Sequence, residues 1–552
     1  MNRTTPIVRL MLYAALLAGA VAFAFPFLWM ASTSVKVDRE LFRGAIDLRP
    51  EQPRPRAKSP YYEDRQFAHV QPAPPQSDAL LPLLTGRVVE EGPRLPPGDS
   101  AVALPELLGP GLYERVRRRA PASVWEGEPE VLASFAGQLI GAAEVSEVAR
   151  QAHRQVLIGT LRVRSDRLEE VEIAADRPPA ERWTVGTPEV IRLINTTDAT
   201  LPCAAVEYDF SRGQDRAVLQ ATFDLSFPVE QLQRLQLRFR PDDTWHELRA
   251  TLESAGVKRV ARRPVSLADN QWGTLTWQMP SPDDHSTKIR TWIPLDEAAR
   301  GTAHDPGPGK ARLTLELVRL SPLQAAYAKA KFNYVRVLDH IPFWRYVRVS
   351  ILLVALNIIL TLLASSLVAY AFARLQWPGR DALFLVMLGT MMIPGQVTMI
   401  PHFLIWKHAG AYDSLVPLWA GAMFGNAFFI FLMRQFLKGI PPDLEDAARI
   451  DGCGFLRIYW HVMLPLVKPS LAAIAIFTFM GTWNDFLGPL IYVNDQRLYP
   501  LAFGLYAFAV QVNNNPVLTM AGSVLMTVPV IVVFFAAQRY FIQGITLTGM
   551  KG

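Results

Sequence analysis

The apolar residues of this chain are gathered into long runs, and those runs are very unevenly placed. LMLYAALLAGAVAFAFPFLWM (10–30) stands alone near the start, and five more runs follow at 346–372, 381–406, 413–436, 470–492 and 517–541. Each can cross a hydrocarbon core of about 30 Å. Backbone polar groups there must be paired within the segment, so each run is expected to be a helix. Between the first and second runs lies a charged, proline-containing stretch, about residues 34–340. The overall 50% hydrophobic and 19% charged content averages two unlike materials. The expected division is an all-α bundle of six membrane helices interrupted by a soluble insertion.

Arg3 and Arg9 precede the first run and no small-x-small cleavage site follows it, so it reads as a retained span with a cytoplasmic N-terminus. Six crossings place both termini on one side. Arg374, Arg380, Arg434, Lys438, Arg449, Arg457, Arg539 and Lys551 then face the cytoplasm, in line with the positive-inside bias. Lys36, Arg39, Arg345 and Arg348 fall outside, the first two at the head of a long translocated segment, where that bias weakens. Basic loops of this kind account for a net charge of +6, and nothing interleaves basic and aromatic residues as a nucleic-acid surface does. Cys203 and Cys453 fall on opposite sides of the membrane and cannot pair.

The insertion, expected to be extracytoplasmic and α+β, opens with a proline-rich linker over 34–78. PELLGPGLYERVRRR and PEVLASFAGQLIGAAEVSEVARQAHR show helical periodicity and mark a helical or mixed part, 79–185. The period then changes to two, with Leu235, Leu237 and Phe239 alternating in RLQLRFR and Leu313, Leu315 and Leu317 in ARLTLELVRL. With AVLQATFDLSF, GTLTWQM and TKIRTWIPL these predict a β-sandwich over 186–330. LRFRPDDTWHELRATLESAG followed by QWGTLTWQM resembles a jelly roll of the carbohydrate-binding-module type. Trp245, Trp272, Trp277 and Trp292 are candidates for stacking on sugar rings, with packing inside the sandwich as the competing role. Asp242-Asp243 and Asp283-Asp284 are adjacent pairs expected to face solvent, whereas glycoside hydrolysis needs carboxylates converging across a cleft. His153, His246, His285 and His304 lack metal-ligand spacing.

One polar loop stands out among the apolar runs: EDAARIDGCGFLRIYWHVMLPLVKP, residues 445–469. Pro441-Pro442 ends the preceding span, and Asp443 is placed to cap a short helix with Glu445 and Asp446 in its positive first turn. Leu444, Ala447 and Ala448 are expected on one face, the small pair allowing close approach of another protein. Gly452 permits the left-handed turn that stops this helix. Phe455, Ile458, Tyr459 and Val462 continue at helical spacing until Leu464-Pro465. By periodicity alone this is equally an ordinary amphipathic hairpin at a membrane surface.

Asp446-Ala447-Ala448, Gly452, Val462 and Leu464-Pro465 stand at the spacing E-A-A-x3-G-x9-I-x-L-P, with Asp in place of Glu and Val in place of Ile. This resembles the EAA loop of ABC transporter permeases. AYAFARLQWPGRDALF, MMIPGQVTMIPHFLIW, TWNDFLGPLIY and QRYFIQGITLTGMKG, with TSVKVDRELF and FNYVRVLDHIPFWRY, are similar to the carbohydrate-importer branch, which is maltose-type, MalG-like and binding-protein-dependent. The resemblance covers about 1–45 and 331–552 and implies a six-helix MetI- and MalG-like permease in a bacterial inner membrane. It implies that the loop 441–465 couples to a cytoplasmic ABC ATPase dimer through Glu445, Asp446, Ala447, Ala448, Asp451, Gly452, Leu464 and Pro465. It also implies a MalF-like second permease subunit, an extracytoplasmic solute-binding protein, surrounding lipid and a sugar substrate. ATP and Mg would be used by the ATPase, with no cofactor and no catalysis on this chain. Asn484, Asp485, Gln396 and Asn426 are candidates for the translocation path, against the plainer role of interhelical hydrogen bonding. The competing reading, a membrane-anchored carbohydrate-binding or carbohydrate-processing protein, needs only one span. The expected domains are 1–33, 34–78, 79–185, 186–330 and a permease core, 331–552.

Overall fold

A computed structural model describes residues 6–41, 47–63, 76–95, 105–198, 200–280, 292–300, 306–512 and 515–546. The chain forms two units: one holds the residues up to Pro50 and from Lys331 onward, the other Glu51–Pro280 and Thr291–Ala330.

In the first unit Pro6–Ser34 is one helix whose apolar side chains are exposed all round, as a lipid-facing helix requires. It runs beside Pro516–Thr546. Its last carbonyls, which lack partners within the helix, are held by a distant residue. Asn333 Nδ2 donates to Ser34 O at 2.9 Å and Lys36 O at 2.7 Å, and Tyr334 bonds Ser34 Oγ at 2.7 Å. The two stretches TSVKV and FNYVRV thus meet, which spacing alone could not disclose. Phe343–Arg374 is the longest helix, and its first half packs with Val337, Trp483, Leu501 and Phe508 in one buried cluster.

Three expected spans are not single straight helices. The run 381–406 divides into Arg380–Thr390 and Gly395–His408, bent by 98° at Pro394, which cannot continue a helical hydrogen-bond ladder. The run 413–436 winds through Val416–Trp419 and a 3-10 turn, Ala420–Phe424, and restarts as Ala427–Lys438 after Gly425 at φ +74°. The run 470–492 is corrected: its helix is Lys468–Trp483, and Leu487–Tyr492 is a separate short helix. Asp485 Oδ1 accepts the Gly488 N–H at 3.0 Å and starts that new turn, a competition that apolar composition does not register. Leu501–Gln511 is a further apolar helix.

In the second unit Gln76–Glu91, Pro105–Arg119, Pro129–Leu139 and Ala142–Ala152 enclose a core that includes Leu80, Leu84, Leu108, Leu112 and Leu132. The expected continuous helix after residue 129 is broken at Ile140-Gly141 by 82°. Strands follow. Val156–Ser165 pairs with Leu201–Asp209 and Leu232–Arg240, and Leu232–Arg240 pairs on its other edge with Gly273–Gln278. A second group runs through Val257–Ala261, Glu247–Ser254, Lys310–Val318 and Arg216–Asp224. A short parallel pairing, Trp277 with Ile293 and Gln278 with Pro294, joins the groups through Ile293–Arg300. Leu235, Leu237, Phe239, Leu313, Leu315 and Leu317 all point into one shared core. The strand-rich part therefore begins near residue 153, not 186. VLIG at 156–159 is buried throughout, Leu157 packing outward with Cys203 and Ala205, so its alternation is hidden.

The PDDTWH turn is a second correction. Asp242 and Asp243 are buried rather than facing solvent. Asp242 accepts from Tyr208 Oη at 2.6 Å and Thr244 Oγ1 at 2.7 Å, while Tyr61 Oη donates to its carbonyl at 2.5 Å. Buried carboxylates persist only when hydrogen-bonded in this way. His246 Nδ1 accepts the Leu320 N–H at 3.1 Å, so its Nε2 carries the proton donated to Arg56 O at 2.8 Å. One turn therefore holds both the segment that leads into this unit and the one that leads out. Asp283-Asp284, His285 and His304 lie outside the described residues.

Candidate functional site

The polar loop is built onto the ends of two helices. Phe343–Arg374 and Ala427–Lys438 both finish beside it, each with a basic residue in its last turn, where the helix dipole favours positive charge. Arg374 NH2 donates to Leu437 O and Ile440 O, two carbonyls left without helical partners. The next helix, Asp443–Ile450, starts one residue earlier than a capping Asp443 would give. Pro442 is its N-cap, and its carbonyl accepts the N–H groups of Glu445 and Asp446 at 2.9 and 3.0 Å. Asp443 acts instead as a first-turn charge, and proline suits this start because an N–H here would have no partner.

Glu445 points inward. Only 4% exposed, it accepts from Tyr370 Oη at 3.3 Å and Arg449 at 3.2 Å and lies 3.8 Å from Arg374 Nε. It ties the loop to its own bundle. Ala448 is buried on the same side, against a cluster that includes Tyr370, Met433, Leu437 and Tyr459, whereas Ala447 is exposed. The two alanines therefore do not share a docking face, because consecutive positions on a helix are about 100° apart. Outward stand Leu444, Asp446, Ala447, Ile450, Asp451 and Gly452, with Ile450 87% exposed.

Gly452 adopts φ +79°, and the helix closes with Cys453 N–H on Ala448 O at 2.9 Å. The second segment begins as Phe455–Ile458 and widens into a π turn, Tyr459–Met463, where the Leu464 N–H reaches back to Tyr459 O. Pro465 lacks an N–H for His461 O, and the wide turn just before it absorbs that loss. Leu464-Pro465 does not end the helix, which continues to Leu466 and turns by 79° at Val467. Tyr459 Oη bonds Ser366 Oγ at 2.7 Å, and Ile458, Tyr459 and Met463 are buried. Phe455, Leu456 and Trp460 remain exposed, as do Leu444 and Ile450, so this polar loop carries five exposed apolar side chains. Sequence reading singled out the small and acidic residues and missed most of these, although apolar side chains at non-core positions were the available signal.

The other nominated residues are employed locally. Asn426 is an N-cap, its Oδ1 accepting from Phe428 and Phe429 N–H at 2.9 and 3.4 Å. Asn484 donates to Met480 O at 2.9 Å, Asp485 starts the turn described above, and Gln396 is exposed in the first turn of Gly395–His408. Asn357, in contrast, bridges helices by donating to Leu418 O at 3.0 Å. Trp245 and Trp277, 2% and 1% exposed, are core residues without a free ring face, which rules out sugar stacking by either. Trp272 and Trp292 are half-buried. Among the described residues no group of three or more His, Cys, Asp or Glu is placed to hold a metal.

Known proteins match the C-terminal membrane part. The family described as "Binding-protein-dependent transport system inner membrane component" matches residues 361–547. The arabinooligosaccharides transport system permease protein AraQ of Halalkalibacterium halodurans is 37% identical over 210 residues, 38% of this chain and 75% of that protein. The lactose transport system permease protein LacG of Rhizobium radiobacter is 35% identical over 204 residues, 37% of this chain and 72% of that protein. A solved bacterial ABC transporter involved in import of the acidic polysaccharide alginate is 29% identical, covering 38% of this chain and 79% of its own. Its TM-score of 0.34 is too low to carry an argument. With about three quarters of AraQ matched at this identity, the chain belongs to the binding-protein-dependent inner membrane components, the permease subunits of ABC importers.

Proposed function

We propose that this chain is one of two permease subunits in an ATP-driven importer that moves a sugar or oligosaccharide from a solute-binding protein to the cytoplasm by alternating access. Exposed apolar side chains at Leu444, Ile450, Phe455, Leu456 and Trp460, on a loop anchored to the bundle through Glu445, support this reading. Exposed apolar side chains on an anchored polar loop suit contact with a partner, and here the partner is the cytoplasmic ATPase. ATP hydrolysis belongs to that separate subunit, and this chain is not an enzyme. Asp446, Asp451 and Gly452, exposed on the same loop, complete the contact.

Six crossings would suit this role: Leu10–Ser34, Phe343–Arg374, Val416–Lys438 and Pro516–Gln538 are long and apolar enough, and we assign the other two to the bent Arg380–His408 pair and to Lys468–Trp483. Both termini are then cytoplasmic, and the jelly-roll-like insertion is extracytoplasmic. The tail residues 547–552 lie outside the described residues. Asn484, Asp485, Gln396 and Asn426 sit at breaks between helices, and Gln396 and Asn426 fall midway along the Arg380–His408 and Val416–Lys438 crossings, where a path could use their polar groups.

The test is to isolate the full chain with whatever ATPase co-purifies from its native membrane and to measure solute-stimulated hydrolysis in nanodiscs. Ile450→Lys, at the most exposed of these apolar side chains, is expected to lose the ATPase and abolish stimulation while the chain still inserts. Unchanged assembly and stimulation in that variant would sink the coupling assignment.

A further inference from the structure

The two outer faces of the insertion's sheet carry charge in opposite ways. On the Glu247–Ser254, Lys310–Val318 and Arg216–Asp224 strands, acids and bases alternate and pair across strands. Arg216 meets Glu316 at 3.0 Å, Arg312 lies 3.8 Å from Glu253, and Lys310 lies 3.7 Å from Asp224. That is an ordinary solvated face. On Val156–Ser165, Leu232–Arg240 and Gly273–Gln278 there is no Asp or Glu at all. Every second residue of the middle strand points into the core (Leu235, Leu237, Phe239), so Arg234, Gln236, Arg238 and Arg240 share the outer face. The register sets Arg164 beside Arg234 and Arg162 beside Gln236 on one side, with Gln278, Thr276 and Thr274 on the other.

Five arginines on adjoining strands repel one another, and like charges facing across strands destabilise a sheet. Among the described residues, carboxylates reach them from the neighbouring Glu170–Glu172 strand, which sets Glu172 opposite Arg162 and Glu170 opposite Arg164, and from Asp198. Glu170 lies 3.3 Å and Glu172 3.7 Å from Arg162, and Asp198 lies 2.6 Å from Arg240. The half-buried tryptophans hold guanidinium groups instead of standing free: Arg238 lies over Trp272 and Arg234 over Trp292, each at 5.8 Å. Trp272 is itself fixed, its Nε1–H donating to Asp198 at 2.7 Å. Arg234 is also held by Gln278 Oε1 at 2.7 Å. Guanidinium forks positioned in this manner are suited to bidentate contact with carboxylates.

Building on the importer reading above, we infer that this arginine face binds a carboxylated oligosaccharide, making the insertion a capture surface for acidic sugar chains. From Arg234 to Arg240 the row extends roughly 20 Å at about 3.4 Å per residue, long enough for a chain and too long for a single small anion. Gln236, Thr274 and Thr276 supply amide and hydroxyl groups between the charges, which match sugar hydroxyls. A lipid surface is a poorer fit, since the outward positions of the Leu232–Arg240 strand offer no apolar side chain for insertion among acyl chains.

The test uses the full-length protein in nanodiscs and four probes: oligogalacturonate, a neutral malto-oligosaccharide of equal length, a single-stranded DNA oligonucleotide and phosphatidylglycerol vesicles. Oligogalacturonate is expected to bind, more weakly as salt rises, while the neutral chain does not. Arg164→Gln with Arg238→Gln should weaken binding about tenfold or more, and so should Arg162→Glu alone. Arg249→Gln on the opposite face should change nothing. Equal binding of the neutral chain, preference for DNA or vesicles, absence of uronate binding, or indifference to the arginine changes would each overturn the proposal. Saccharide uptake by the assembled importer is scored separately. Uptake without uronate binding defeats this inference alone, and uronate binding without any saccharide uptake defeats the importer reading alone.

Discussion

Glu445 and Gly452 are neighbours on one loop with opposite duties. Glu445 faces the bundle, and removing its carboxylate leaves Arg374 buried beside Tyr370 with one fewer partner. Glu445→Ala is expected to lower stability by on the order of 2–3 kcal/mol, because an uncompensated buried charge costs several kcal/mol and Arg374 keeps its two carbonyls. Glu445→Gln should lie between, since an amide oxygen still accepts from Tyr370. Thermal unfolding of the full chain in detergent distinguishes the three. Gly452 meets no steric limit, for a Cβ there has nothing within 4 Å. Its constraint is φ +79° alone, so Gly452→Ala should cost about 1 kcal/mol. A far larger loss of stability would show that the site is more crowded than this geometry allows.

At the scale of elements, the helices of the loop are each too short to hold themselves and depend on contacts with the bundle. Asp443–Ile450 depends on Glu445 and Ala448, and the following turn on Tyr459, so Tyr459→Phe should loosen the second segment by about 1 kcal/mol through the lost Ser366 bond. The turn at 241–246 serves the other unit in a comparable way. Burial holds the His246 imidazole below its ordinary range and pushes His153 down to about 4. Below about 6.5 the unfolded chain therefore takes up protons that the folded one refuses. The stability of this unit should be whole above that pH and fall steadily as the pH drops toward 5. Fluorescence of the buried Trp245 and Trp277 during thermal unfolding reads this out. His246→Gln should flatten the slope in part, leaving the contribution of His153. A rise in stability on acidification would contradict the buried, neutral assignment.

For the whole molecule, the placement of the insertion matters more than its size. Lys329 Nζ donates to Glu51 O at 2.6 Å, so the points where the chain enters and leaves this unit are adjacent. Adjacent ends are what a tolerated insertion requires. Replacing 52–328 with a short Gly/Ser linker should leave a permease that inserts, retains the Asn333 clasp on Ser34 and Lys36, and still binds its ATPase. Size-exclusion chromatography and co-purification check this. Failure to insert would mean that the extra unit is needed to build the membrane bundle.

Apolar run length, loop spacing and strand alternation are local quantities, and the sequence by itself determined what depends on them. These are the helical membrane part, the turn at Gly452, and the Leu235–Leu237–Phe239 and Leu313–Leu315–Leu317 core stripes. Helix breaks at Asn484-Asp485 and Ile140-Gly141 were illegible because capping competes with hydropathy and leaves no trace in an average. Only the tertiary structure decided which neighbour each side chain meets. It turned Glu445 and Ala448 inward, left Ile450 and Trp460 outside, buried Asp242 and Trp245, and gathered arginines from two strands far apart in sequence onto one face. Those outcomes depend on contacts between residues tens to hundreds of positions apart, and no local period encodes them.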